Sequence, residues 1–241
     1  MNCIYGAPIT YYIDESLKRS ESGTICSLTA IRTNDSARLI SLIQDSIAKI
    51  ISDPVLCQHK GIGSDFIPHY CNDHPIEIHD KLLRDIFQMP FEAYIVYGKK
   101  EKFTSNNEYD WYDNLLRVLF SFRLSADKGR ISKIIFEQHG SKVASREADI
   151  KNIISDVNRK DALKRKTMEA EIMVMSAGKN VLPLCLPDYI GGSFMSHLCN
   201  DDAKMLNPNR RKFELISKKV RWIKDIDSGV IYTSKRPFFR G

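Results

Sequence analysis

Ile9-Thr10-Tyr11-Tyr12-Ile13-Asp14-Glu15-Ser16 is the stretch on which the fold turns. Its first five positions are almost all β-branched or aromatic, the composition of a buried strand, and the apolar run stops at an aspartate. Leu17 to Gly23 is polar and turn-like, and Thr24–Arg32 is strand-like again, so the two runs predict an antiparallel hairpin. Asn34 or Asp35 then caps a helix whose apolar positions Leu39, Ile40, Ile43, Ile47, Ile50 and Ile51 recur at three- and four-residue steps, and Pro54 closes it. Residues 55–75 read as irregular, Ile76–Gln88 as a helix ending before Pro90, and Phe91–Tyr97 as a strand. Asn107–Leu124 reads as an amphipathic helix built on Trp111, Leu115, Leu116, Leu119 and Phe122. Ile131–Phe136 is a short strand ending at Glu137, Ser145–Asn158 a helix, and Glu169–Met175 a strand. Leu184–Leu198 is an apolar helix weakened by Gly191-Gly192. A charged helix over Lys204–Lys219 follows. Val220–Ile226 and Val230–Thr233, joined across Asp227-Ser228-Gly229, predict a closing hairpin. Strands alternating with helices predict an α/β fold: a mixed sheet that opens with an antiparallel hairpin and is flanked by helices.

The bulk numbers agree. A chain of 241 residues with 43% hydrophobic and 27% charged residues can bury a core and is not the composition of a disordered chain. No apolar run is long enough for a membrane span, and the opening MNCIYGAPITYYIDES lacks a basic stretch followed by an apolar one, so a soluble, cytoplasmic protein is expected. The six cysteines, Cys3, Cys26, Cys57, Cys71, Cys185 and Cys199, form no CxxC pair. Cys26 and Cys185 lie in apolar runs, where cysteine is a small buried hydrophobe, so no disulfide framework is expected.

The net charge of +6 is unevenly placed: residues 204–241 hold eleven Lys/Arg against three Asp/Glu. A near-neutral body with a basic end suggests an anionic partner, most simply nucleic acid; a solvated helix face is the alternative. This divides the chain into residues 1–200 and a basic extension, 201–241, packed on them as a helix plus hairpin. Within the extension Arg210, Arg211, Lys212, Lys218 and Lys219 are the candidate nucleic-acid contacts, interleaved with Phe213 and Trp222, whose rings are read as packing the helix down. Arg159-Lys160 and Lys164-Arg165-Lys166 are further basic stretches.

Three carboxylates occupy positions typical of catalytic acids. Asp14 and Glu137 each end a strand, and Asp188 interrupts the apolar Leu182-Pro-Leu-Cys-Leu-Pro-Asp-Tyr-Ile190, where a lone charge is costly unless paired or metal-bound. Three acidic oxygens suit Mg2+ or Mn2+, and one or two such ions can activate a water and stabilise the leaving oxygen of a phosphodiester. A cap or turn role is the alternative for Asp14 and Glu137. Glu15 joins this set only if the chain bends after Asp14, because neighbours on a strand point to opposite faces. Residues 57–79 gather Cys57, His59, His69, Cys71, His74 and His79, but their spacing matches no standard zinc site, so they read as loop residues; His69 or His74 could reach a cleft as a proton donor or phosphate contact.

Tyr11-Tyr-Ile-Asp-Glu-Ser16, the apolar strand ending in Glu137, and Ser176 to Ile190 together resemble the bacterial domain-of-unknown-function family 3800, whose members open on Tyr-Ile-Asp-Glu-Ser and carry a late Leu-Gln-Leu-Ala-Asp-Tyr-like helix start. The resemblance spans roughly residues 9–225 and includes His69 with Asp73. It departs from the family at Leu17, Cys185 and Pro187, and the middle acid is assigned to Glu137 by choice. It implies an RNase H-like fold of the retroviral-integrase superfamily. The expectation is a metal-dependent nuclease on RNA or DNA that uses Asp14, Glu137 and Asp188 with Mg2+ or Mn2+; by analogy it would act in antiphage defence or as a toxin-like effector. The rival reading is a non-catalytic RNase H-like module that binds nucleic acid or protein. A protein partner and a homo-oligomer both stay open.

Overall fold

A computed structural model describes residues 6–20, 23–70, 76–103, 109–138, 143–178, 180–199 and 208–238, with backbone only for 143–144 and 208–211. Cys3, Cys71, Asp73, His74 and the 201–207 part of the basic extension lie outside the described residues, as do the side chains of Arg210 and Arg211.

The chain runs β1 (Ile9–Ser20), β2 (Gly23–Thr33), α1 (Ser36–Ile51), α2 (Ile76–Gln88), β3 (Glu92–Lys99), α3 (Asp110–Asp127), β4 (Ile131–Glu137), α4 (Val143–Arg165), β5 (Met173–Ala177), α5 (Cys185–Cys199), α6 (Pro208–Ile216), β6 (Val220–Asp225) and β7 (Ile231–Thr233). Among the described residues, the seven strands join one mixed sheet of order β5-β4-β1-β2-β3-β6-β7. β1, β2 and β3 are antiparallel, β4 and β5 run parallel to β1, β6 runs parallel to β3, and β7 turns back on β6. The fold is therefore α/β, with the opening hairpin at the centre of the sheet. The basic end carries α6 and the expected hairpin, and β6 extends that same sheet beside β3.

Alternation along β1 sorts the two cores. Ile9, Tyr11 and Ile13 pack with Leu115, Leu119 and Phe120 of α3 and Ile150 and Ile154 of α4. Tyr12 packs on the other face with Leu39 and Ile43 of α1, Leu82 of α2, Leu186 and Phe194 of α5, and Phe213 of α6. Asp35 is the α1 cap, its carboxylate accepting the Arg38 N–H at 3.0 Å. Cys26 and Cys185 are free and buried, and burial pushes the Cys26 thiol up to about 12. Phe213 is likewise buried, and Trp222 packs against Tyr94 and Phe122. Among the described residues no helix is long and apolar enough to cross a membrane.

Three elements differ from the sequence reading. β1 does not stop at Asp14: Leu17 to Ser20 continue as strand because Lys18 pairs with Ile25 and Ser20 with Gly23, and an antiparallel partner overrides local polarity. β5 begins at Met173 rather than Glu169, since both backbone groups of Ala170 are taken by the Asn158 amide of α4 at 2.7 and 3.3 Å. Helix α4 runs on to Arg165, past Asn158, where Asp156 pairs with Arg159 and Lys160 and Asp161 with Arg165 at three- and four-residue spacing.

Candidate functional site

β1 and β4 lie side by side in parallel, with Tyr12 opposite Ile135 and Ile13 opposite Phe136. The next step along both strands brings Asp14 beside Glu137, one strand spacing of about 4.8 Å apart. Tyr12 and Ile135 both belong to the core under α1, α2, α5 and α6. Two residues on, Asp14 and Glu137 therefore project to that same face. They are 5% and 6% exposed.

Asp188 reaches this face from above, on the first turn of α5. Of the two glycines that count against this helix in sequence, Gly191 lets it lie close to the sheet and Gly192 lets the Tyr70 ring lie close to it. A Cβ on Gly191 would stand 2.8 Å from the Thr29 hydroxyl and 3.1 Å from that of Ser16, and one on Gly192 would stand 2.0 Å from the Tyr70 ring. Asp188 Oδ2 accepts the Tyr70 backbone N–H at 2.7 Å and meets His69 Nδ1 at 2.6 Å. Asp188, Glu137 and His69 line one narrow cleft, closed by Ile67, Pro68, Leu184 and Cys185. The Cys185 thiol is pushed up by burial, and Asp188 beside it acts in the same direction. It stays protonated.

Glu15 sits on the opposite face, since β1 runs straight through it. It lines a second small cavity with Tyr109, Tyr112, Arg146 and the same Glu137, whose place at the strand end opens to both sides. Arg146 is the cation of that side, 2.7 Å from Asp113 and stacked 4.4 Å above the Tyr112 ring. Burial raises the Asp113 carboxyl while Arg146 opposes the shift. No sequence motif announces Arg146.

Three buried or half-buried carboxylates on one face form a hard-oxygen donor set, which suits Mg2+ or Mn2+ by chemistry. Among the described residues no three His, Cys, Asp or Glu side chains stand together closely enough to hold an ion as they are placed. Glu137 and Asp188 share the cleft, and Asp14 adjoins Glu137 through the strand register.

The basic candidates with described side chains, Lys212, Lys218 and Lys219, are dispersed. Lys219 donates to the Met89 carbonyl at 2.6 Å and lies over the Phe87 and Phe91 rings, so its charge ties the entry of β6 to the α2–β3 turn. Lys218 is exposed beside it. Both precede β6, which lies three strands from β1, about 14 Å to the side of Asp14. Among the candidates with described side chains, Lys212 alone approaches the cleft, with its ammonium 5.8 Å from the centre of the Tyr70 ring. No family model matches the chain, and no curated protein matches it.

Proposed function

We propose that the chain is a divalent-metal-dependent nuclease with an RNase H-like fold, hydrolysing phosphodiester bonds of RNA or DNA. The observation that carries this reading is the placement of Asp14, Glu137 and Asp188 on one face of the sheet, two of them at adjacent positions on parallel strands and the third across a shared cleft. The RNase H-like and family-3800 readings draw support from the mixed sheet, whose opening hairpin supplies the central, acid-bearing strand. Mg2+ or Mn2+, held by oxygens of these three residues, would supply Lewis-acid activation of the phosphodiester. The chain itself contributes orientation. The Tyr70 N–H and His69 fix the Asp188 carboxylate. Burial of Asp14 and Glu137 keeps bulk water from competing for their oxygens.

The test combines thermal unfolding with cleavage. Mn2+ is expected to raise the wild-type melting temperature, because a ligand bound only by the folded state stabilises it. Asp14→Asn and Asp188→Asn are expected to abolish both this rise and the cleavage of labelled RNA or DNA. An undiminished rise and undiminished cleavage in these variants would refute the reading. One observation favours the alternative, a non-catalytic module that binds nucleic acid or protein: Asp188 Oδ2 is already satisfied within the chain by His69 and Tyr70.

A further inference from the structure

The face that carries the three carboxylates also carries two ammonium groups. Because β1 continues past Asp14, alternation sets Ser16 and Lys18 on the same face as Asp14. Helix α5 follows β1 along this face: Gly191 lies against Ser16, and Ser196 meets Lys18, whose ammonium donates to the Ser196 hydroxyl at 3.4 Å. The same Ser196 oxygen accepts the Tyr70 hydroxyl at 3.1 Å. Tyr70 is thus a hub. Its backbone N–H holds Asp188, its hydroxyl reaches the serine that holds Lys18, and its ring lies beneath Lys212 from α6.

Among the described residues neither lysine stands within salt-bridge distance of a carboxylate. Lys212 feels Asp80 only through longer-range attraction, and its half-buried ammonium is pulled down by loss of water. A partly dehydrated cation with no close counter-charge gains more from meeting an anion than a fully solvated one does. Lys219, in contrast, is engaged by the Met89 carbonyl.

We infer that Lys18 and Lys212 form a phosphate subsite around Tyr70 that holds the backbone of a nucleic-acid strand beside the Asp188 cleft. The identity of the occupant rests on the nuclease reading. The strand then lies along α5 and the β1–β2 hairpin, away from the charge-rich entry of β6. The Ser196 hydroxyl, which accepts from both Lys18 and Tyr70, keeps its own proton to donate to a phosphate oxygen without adding negative charge.

The experiment measures binding of fluorescein-labelled single-stranded and duplex oligonucleotides by anisotropy in EDTA, between about 50 and 200 mM salt. Lys18→Gln and Lys212→Gln are each expected to weaken binding several-fold and to flatten the salt dependence by about 0.7–0.9 slope units per lost phosphate contact. Lys18→Arg and Lys212→Arg are expected to restore both, which a folding defect would not allow, and Lys218→Gln is expected to bind as the wild type does. A wild type that binds while both Gln variants keep its affinity and slope overturns the subsite and leaves the nuclease reading standing. A wild type that binds no oligonucleotide overturns that reading and the subsite with it. Complete displacement of the oligonucleotide by millimolar inorganic phosphate also overturns the proposal, in favour of a small-anion site.

Discussion

Replacing Gly192 by alanine should reverse the usual sign of that substitution. In a helix interior, alanine is favoured over glycine by about 0.5–1 kcal/mol. Here the added methyl would come within 2.0, 2.4 and 2.7 Å of three Tyr70 ring carbons. Tyr70 cannot simply swing away. Its hydroxyl is bonded to Ser196, its N–H is bonded to Asp188, and its ring packs edge-on against His79 and Tyr189 with centroids 5.0 and 5.7 Å away. Overpacking of this kind costs typically about 1–3 kcal/mol. A strained or lost N–H bond to a charged acceptor adds roughly another 1.5 kcal/mol. After the helix-propensity gain, Gly192→Ala should be less stable by about 1.5–4 kcal/mol, a fall in melting temperature of roughly 3–16 °C for a chain of this size. Urea denaturation gives the free energy, and the same samples with and without Mn2+ report whether Asp188 has lost its support. If Gly192→Ala is as stable as the wild type or more so, α5 does not lie as close to Tyr70 as described, and the account of how Asp188 is positioned fails with it.

Asp127 is 1% exposed and accepts from the Tyr11 hydroxyl, from Arg32 at 2.9 Å and from Arg123 at 3.1 Å, so Asp127→Ala strands two largely buried guanidinium groups and should cost about 3–5 kcal/mol by chemical denaturation; a loss below about 1 kcal/mol would mean the arginines find other partners. Glu147 is held down to about 2, against an ordinary 4.5, by hydrogen bonds from Lys151 and then Ser176; a depressed carboxyl stabilises the fold above its unfolded value and loses that contribution as pH falls, so Glu147→Gln should flatten the acid limb of the stability profile between about pH 4.5 and 2, and an unchanged limb would contradict this. Lys219→Gln should lower the melting temperature through loss of the Met89 bond while leaving the salt slope of nucleic-acid binding unchanged; a flatter slope would return Lys219 to the interface.

Some of this is legible in the sequence itself. The order of elements, a cap for α1 at Asn34 or Asp35, of which the structure uses Asp35, and the bounds of α2 follow from local chemistry: β-branched runs, three- and four-residue apolar spacing, a capping side chain, a proline stop. Alternation along a strand also separates Asp14 from Glu15, and the structure keeps them on opposite faces. Asp188 stood out because a charge in an apolar run demands a partner, although which partner could not be read. Lys18 shares the parity of Asp14 and would have been legible too, had the polar residues 17–20 been recognised as strand. What hid them is that their strand character comes from pairing with β2 and not from their own composition.

Other features arise only when distant segments meet. Tyr70 and His69 join Asp188 across more than a hundred residues, from a loop whose sequence carries no periodic signal. The close seating of α5 depends on what faces Gly191 and Gly192, so the same glycines read as weakness in one dimension and as clearance in three. The basic end looked like one patch because charge was counted along the chain. In space α6 delivers Lys212 to the cleft, while Lys219 is turned into a carbonyl at the entry of β6. Local propensity and burial periodicity are written residue by residue and survive in the sequence. The partner of each charge is set by packing between segments, and that packing exists only in the folded chain.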